Sequence, residues 1–268
     1  IKKLPIAHLI SNESVALTCS NLIQMLENGA SQRGEGLIVL DRQNRATRKS
    51  YADLLEGARV VANYLRNRGL RRGDKVLILL MTSTPFTDAF FGTLLAGGVP
   101  VPASLPMTFG DITKYLTNLK HILQNSEARF ILTFSKVRAV IGNVLAGENN
   151  LKELILAENI TDELPIHSGF PSIDASDPAL IQYTSGTTSL PKGVVLTHQA
   201  ILSNVYGIVH SIGVSPADVG LSWLPLYHDM GLIGGMITAP LLSMLVIPAA
   251  YLLLRGRGLR RSASTAKR

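Results

Sequence analysis

Lys192 stands in the segment Tyr183-Thr-Ser-Gly-Thr-Thr-Ser-Leu-Pro-Lys-Gly193, which carries five hydroxyl side chains after its tyrosine, two glycines and one lysine between two apolar runs. This combination suits phosphate. Gly186 and Gly193 let the backbone bend tightly and come close to a ligand. Hydroxyls and free backbone N–H groups donate to phosphate oxygens, and Lys192 brings a positive charge. The pattern is not a Walker A loop, which sets Gly and Lys side by side before Ser or Thr; here Pro191 precedes Lys192 and Gly193 follows. Taken as bare composition, the same stretch could be an ordinary polar surface loop.

The second chemistry-bearing stretch is Ser222-Trp-Leu-Pro-Leu-Tyr-His-Asp-Met-Gly-Leu-Ile-Gly234. It reads as a strand, Val219 to Leu224, stopped by Pro225 and followed by a helix opening near Asp229. A His and an Asp at a strand's C-terminal end lie where open α/β sheets bind ligands. The alternative is that His228 and Asp229 only cap the helix. Trp223 reads as core packing, His198 as structural and Cys19 as a buried thiol without a base partner.

The elements that must position these stretches follow from apolar periodicity. Leu37–Leu40 is a short apolar run. Ser50 reads as the N-cap of a helix whose Tyr51, Leu54, Leu55, Ala58, Val61, Ala62 and Leu65 fall on one face, with Gly69 as its C′ residue. Val76–Leu80 is a buried strand, Pro85 opens the next helix, and Val99-Pro-Val-Pro102 is a short strand. A second cycle comprises a helix from Asp111 to Ser126, with Ile112, Tyr115, Leu116, Leu119, Ile122 and Leu123 on one face, a strand Arg129–Thr133, a helix Val137–Leu145 and a strand Leu154–Leu156. The strands Ala179–Tyr183 and Val194–Thr197 flank the lysine loop. The alternation predicts a layered α/β fold with mostly parallel sheets and flanking helices. Residues 1–177 form a first subdomain up to a polar Pro/Gly stretch, 178–241 begin a second, and 242–268 are atypical.

The lysine loop closely resembles the ATP-binding loop of the acyl-adenylate-forming enzymes, which include acyl-CoA synthetases, fatty acyl-AMP ligases, luciferases and the adenylation domains of peptide synthetases. Most members have Gly where this chain has Ser189. The Trp-Leu-Pro-Leu-Tyr-His-Asp-Met-Gly stretch, which begins 31 residues after Lys192, is similar to that superfamily's second core motif in its fatty acyl-AMP ligase form. The resemblance runs over roughly residues 30 to 240, through Ser50–Leu55, Arg71–Val76 and Phe90–Pro102. It implies the incomplete N-terminal domain of a ligase that converts a carboxylic acid, in the fatty acyl form a long-chain fatty acid, and ATP into an acyl adenylate. The acyl group would pass to a phosphopantetheine thiol on an acyl carrier protein or CoA. An acyl-CoA synthetase or a peptide-synthetase adenylation domain is the enzymatic alternative, and a catalytically dead nucleotide-binding remnant the other. The implied phosphate ligands are Thr184, Ser185, Gly186, Thr187, Thr188, Ser189, Lys192 and Gly193. His228 is carried over as the catalytic residue beside the substrate carboxylate, with Asp229, Met230 and Gly231 as acyl-pocket neighbours. Magnesium would share the phosphates, but the family's main magnesium acid, adenine segment and catalytic lysine all lie downstream of this motif. The chain is therefore expected to be an inactive fragment.

Charge argues against a nucleic-acid partner. The net charge is +7, yet six of the 26 basic residues lie in the last 14 positions, which carry no acid; the body has 20 basic and 19 acidic residues. One cysteine excludes a disulfide framework and a cysteine-rich zinc site, and the start at Ile1 shows no secretory leader, which suits a cytoplasmic protein with an incomplete or processed start. Met230 to Leu254 is an uncharged run of 25 residues, long enough to span a bilayer, but Gly231, Gly234, Gly235, Pro240 and Pro248 interrupt it. A truncated or frame-shifted coding sequence is the expected origin of residues 242–268, with 255–268 exposed and unfolded.

Overall fold

In the computed structural model, residues 18–31, 36–40, 45–105, 112–145, 150–162, 169–184, 190–212, 222 and 224–237 are described. The apolar run Val76–Leu80 becomes the centre of the molecule. Strand β3 (Lys75–Leu79) pairs in parallel with β4 (Val99–Pro102) on one side and β5 (Phe130–Thr133) on the other, and β5 pairs in parallel with β6 (Glu153–Leu156). The order β4-β3-β5-β6 puts the two prolines of β4 on an edge, where a missing N–H costs least.

Both faces of this sheet are apolar, as parallel sheets covered by helices require. Val76, Ile78, Phe130 and Leu132 point into one buried cluster with α1 (Leu22–Ala30), α2 (Tyr51–Asn67) and α3 (Thr84–Leu95). Leu77, Leu79 and Ile131 point the other way, against α4 (Ile112–Ser126) and α5 (Ser135–Leu145). The result is a layered α/β arrangement, as the alternation predicts.

The α2 assignments hold in detail. Ser50 and Asp53 form a capping box, the seven apolar positions are all buried, and Gly69 takes φ +80° after the C-cap Arg68. In α4 the buried face is Leu119, Ile122 and Leu123, with Tyr115 and Leu116 half-buried. Ile112 is 46% exposed, because the first described turn of the helix lies ahead of the stretch that meets the sheet.

Two further sheets are antiparallel hairpins. β1 (Gly36–Leu40) pairs with β2 (Ala46–Ser50), and β7 (Pro178–Tyr183) pairs with β8 (Gly193–Thr197). Strand β8 leads straight into α6 (His198–Ile212), whose first turn is capped where Ala200 N–H donates to Thr197 Oγ1 at 3.1 Å. Ala179 and Leu180 of β7 and Ile201, Leu202 and Val205 of α6 join the cluster formed by α1–α3. The polar stretch before β7 is tied down: Arg72 pairs with Asp174 and Asp177, and Arg66 donates to the carbonyl of Gly169.

Candidate functional site

Strand β7 organises both motifs. At its end, Tyr183 faces Gly193 across the hairpin, and Thr184 N–H donates to the Lys192 carbonyl at 3.0 Å. These contacts close the two stems on which the lysine loop is mounted. A Cβ on Gly193 would lie 2.9 Å from the Tyr183 ring, so glycine here makes the space that ring occupies. Pro191 is buried, whereas Lys192 and Gly193 are exposed. No carboxylate lies within ion-pair distance of the Lys192 ammonium among the described residues. A cation presented this way, on a hairpin end, is available to an anionic ligand. Ser185, Gly186, Thr187, Thr188 and Ser189 lie outside the described residues.

The stems gain support from α4. His121 Nε2 lies 2.9 Å from the Pro191 carbonyl, and Tyr183 Oη donates to Asn125 Oδ1 at 2.7 Å. Burial raises the Tyr183 phenol above its ordinary pKa, so it remains a donor at neutral pH.

One residue before Tyr183, Gln182 Nε2 donates to the Tyr227 carbonyl at 3.3 Å, which joins β7 to the His motif. Thr82, in the turn after β3, accepts the Leu226 N–H at 3.0 Å. The turn carrying His228 is thus hung from the C-terminal ends of β7 and β3, where open α/β sheets place ligands. The expected strand up to Leu224 does not reach that far. Ser222 and Leu224 are outside any strand, because Ser222 Oγ accepts the Leu224 N–H at 3.2 Å and bends the chain ahead of Pro225; Trp223 and 213–221 lie outside the described residues.

His228 donates its N–H to Pro225 O at 3.0 Å and its carbonyl accepts the Leu232 N–H at 2.8 Å. Its Nδ1 is 2.6 Å from Asp229 Oδ1, the same oxygen that accepts the Met230 N–H at 2.7 Å. Asp229 therefore both caps the following helix and holds the imidazole. That helix, Met230–Ile237, is a wide π-helix and not the α-helix the sequence suggests. Its glycines remove the side chains that would resist a looser turn. Gly231 is buried so tightly that a Cβ would meet Pro225 O at 2.2 Å. The side chains of His228, Asp229 and Met230 are exposed.

Among the described residues no three His, Cys, Asp or Glu side chains cluster as metal ligands. No helix of the described residues is long and apolar enough to cross a membrane; residues 238–268, with the rest of the apolar run and the basic tail, lie outside them. The readings of His198 and Cys19 hold: both are buried, His198 Nδ1 accepting the Leu22 N–H at 3.1 Å, and burial raising the Cys19 thiol above its ordinary pKa. His121, Asn125, Thr82 and Gln182 went unread in the sequence, which carries no local signal for such long-range partners.

Residues 26–251 match the family model of the AMP-binding enzymes. A putative acyl-CoA synthetase of Caulobacter vibrioides is 32% identical over 70% of this chain and 32% of its own length. The medium-chain-fatty-acid–acyl-carrier-protein ligase JamA of Moorena producens is 31% identical over 82% of this chain and 37% of its own. Among solved structures, one from a study of the fatty acyl-adenylate ligases of E. coli and L. pneumophila matches with a TM-score of 0.78 and 30% identity, over 84% of this chain and 41% of that one. The chain thus spans about a third of the length of those two curated relatives.

Proposed function

The chain belongs to the AMP-binding enzyme family, and on that footing we propose that it carries the triphosphate-binding and carboxylate-handling part of a fatty acyl-adenylate ligase. The observation that carries this reading is the placement of both motifs on one strand end: Thr184 and Lys192 close the loop stems beside Tyr183, and Gln182 holds the His228 turn through Tyr227.

In the proposed reaction a fatty-acid carboxylate oxygen attacks the α-phosphorus of ATP. The new acyl–O–P bond forms as the bond to the β-phosphate oxygen breaks, and pyrophosphate leaves. Two anions must be brought together, so the protein's work is charge screening and alignment. Lys192, with the hydroxyls of Thr184, Ser185, Thr187, Thr188 and Ser189, holds the leaving phosphates. His228, steadied by Asp229, faces the carboxylate, and Met230 and Gly231 border the acyl chain. Magnesium, when bound, supplies further screening of the phosphates. The relatives' names support fatty acids as the substrate class and both CoA and a carrier protein as acyl acceptors; a long chain is preferred from the form of the His motif.

The chain alone, a third of those relatives in length, is proposed to bind the nucleotide without turning it over. Titration calorimetry of the 268-residue protein with ATP, beside Lys192→Ala, tests the binding half. Fatty-acid-dependent pyrophosphate release, by the chain alone and by the chain spliced to the remaining part of a homologous ligase, tests the chemistry. Release by the spliced protein only is expected. No ATP binding by the unaltered chain, equal ATP affinity in Lys192→Ala, or turnover by the short chain equal to the spliced one would reject the reading.

A further inference from the structure

We propose that helix α4 is a positioning clamp for the phosphate loop, with His121 and Asn125 each fixing one of the loop's two stems. The proposal rests on the phosphate-binding reading of Lys192. His121 and Asn125 are four residues apart, so they stand one above the other on a single helix face. His121 reaches the outgoing stem at the Pro191 carbonyl, one residue before Lys192. A carbonyl only accepts, so Nε2 carries the proton and the ring donates. Asn125 reaches the incoming stem at the Tyr183 hydroxyl, one residue before Thr184. The stems pair with each other between these anchor points.

The clamp answers a physical need. β7 and β8 form a two-stranded hairpin, and such a unit is marginal unless it packs against something else. Strand β8 is exposed along Gly193–Val195, so its own burial does little to hold Lys192 in place. Helix α4, in contrast, is seated on the parallel sheet through Leu119, Ile122 and Leu123, which pack with Leu77 and Ile131. Ile181 of β7 lies in the same cluster. Through the two hydrogen bonds the lysine is referred to that rigid sheet. His121 and Asn125 touch no ligand themselves; they are positioning residues.

The test uses the 268-residue chain and two readouts, amide hydrogen exchange of the peptide carrying Thr184, Lys192 and Gly193, and ATP affinity by calorimetry. His121→Leu should speed exchange in that peptide and weaken ATP about five-fold, the effect of losing one hydrogen bond. His121→Gln, whose amide also donates, should restore both. Tyr183→Phe removes only the hydroxyl and should act in the same direction at the incoming stem. Lys192→Ala should weaken ATP without changing the exchange. Unchanged exchange in both His121→Leu and Tyr183→Phe would overturn the clamp. Faster exchange with unchanged ATP affinity would overturn its positioning role and leave only packing. Failure of the unaltered chain to bind ATP would instead strike the phosphate-loop reading, while the exchange comparison still reports on the two hydrogen bonds.

Discussion

His198 and Leu22 are joined by a hydrogen bond in which the imidazole Nδ1 accepts the backbone N–H at 3.1 Å, linking the first turn of α6 to the first turn of α1. The acceptor must be unprotonated, and burial makes it so, lowering the His198 pKa from 6.5 to about 4.

That relationship sets a pH dependence. The unfolded chain takes up a proton on His198 near pH 6.5, whereas the folded chain resists it until about pH 4. Its contribution is whole above the unfolded value and is lost as pH falls through that window. The difference corresponds to about 3 kcal/mol at full protonation. Urea unfolding between pH 7.5 and 4 should show the decline, and His198→Gln, whose carbonyl can accept the same N–H, should flatten it. An equally steep curve in the variant would place the effect elsewhere.

Much of the frame is legible in local sequence, for reasons that particular residues show. Ser50 and Asp53 sit three apart, so the capping box is written in four residues. Gly69 and Gly97, at φ +80° and +85°, mark helix ends because other residues resist that conformation. Strand β2, Ala-Thr-Arg-Lys-Ser, carries no apolar alternation; it is a strand because its backbone pairs with β1, so side-chain pattern could not reveal it. Helix α1 did have a signal that went unread: Asn21 caps it, and Leu22, Ile23, Met25 and Leu26 form its buried face. At the site, residue types name Lys192 and His228, but their supports Asn125, His121 and Gln182 are found only when the fold brings distant segments together.

A second prediction concerns Lys49 and Asp88. The Lys49 ammonium lies 2.5 Å from the Asp88 carboxylate, with side chains only 16% and 18% exposed, and Gly57 leaves the room between them. Burial raises the Asp88 pKa more than Lys49 lowers it. Asp88→Ala would strand a largely buried ammonium and should cost about 3 kcal/mol. The double replacement Lys49→Met with Asp88→Leu should cost less than Asp88→Ala, a non-additivity that denaturant unfolding of the set would reveal.

A third prediction tests the packing under the His motif. A methyl group at position 231 would press on the carbonyls of Pro225 and Leu224, at 2.2 and 2.8 Å, and backbone yields less readily than a side chain. Gly231→Ala should destabilise this turn by about 1–3 kcal/mol. Gly142, with open space around its Cβ position on α5, provides the control: Gly142→Ala should be neutral or stabilising. Hydrogen exchange of the peptide holding His228 should rise in the first variant and stay level in the second.

The last prediction separates the two motifs by what each should lose. Lys192 is exposed and has no ion pair among the described residues, so Lys192→Ala removes no salt bridge to them and should leave thermal unfolding nearly unchanged. If it holds leaving phosphates, its loss should weaken ATP by roughly 10–100-fold, the range for a hydrogen bond to a charged group. His228 is also exposed, and among the described residues its ring pairs with Asp229 alone. His228→Ala should therefore leave both folding and ATP affinity near their starting values. Its effect should appear only when the carboxylate is present, as a lowered rate of fatty-acid-dependent pyrophosphate release by the spliced enzyme. Asp229→Asn keeps an oxygen for the Met230 N–H and removes the charge beside the imidazole, so it should impair turnover without unravelling the helix start. Should His228→Ala abolish ATP binding while Lys192→Ala spares it, the two roles would have to be exchanged.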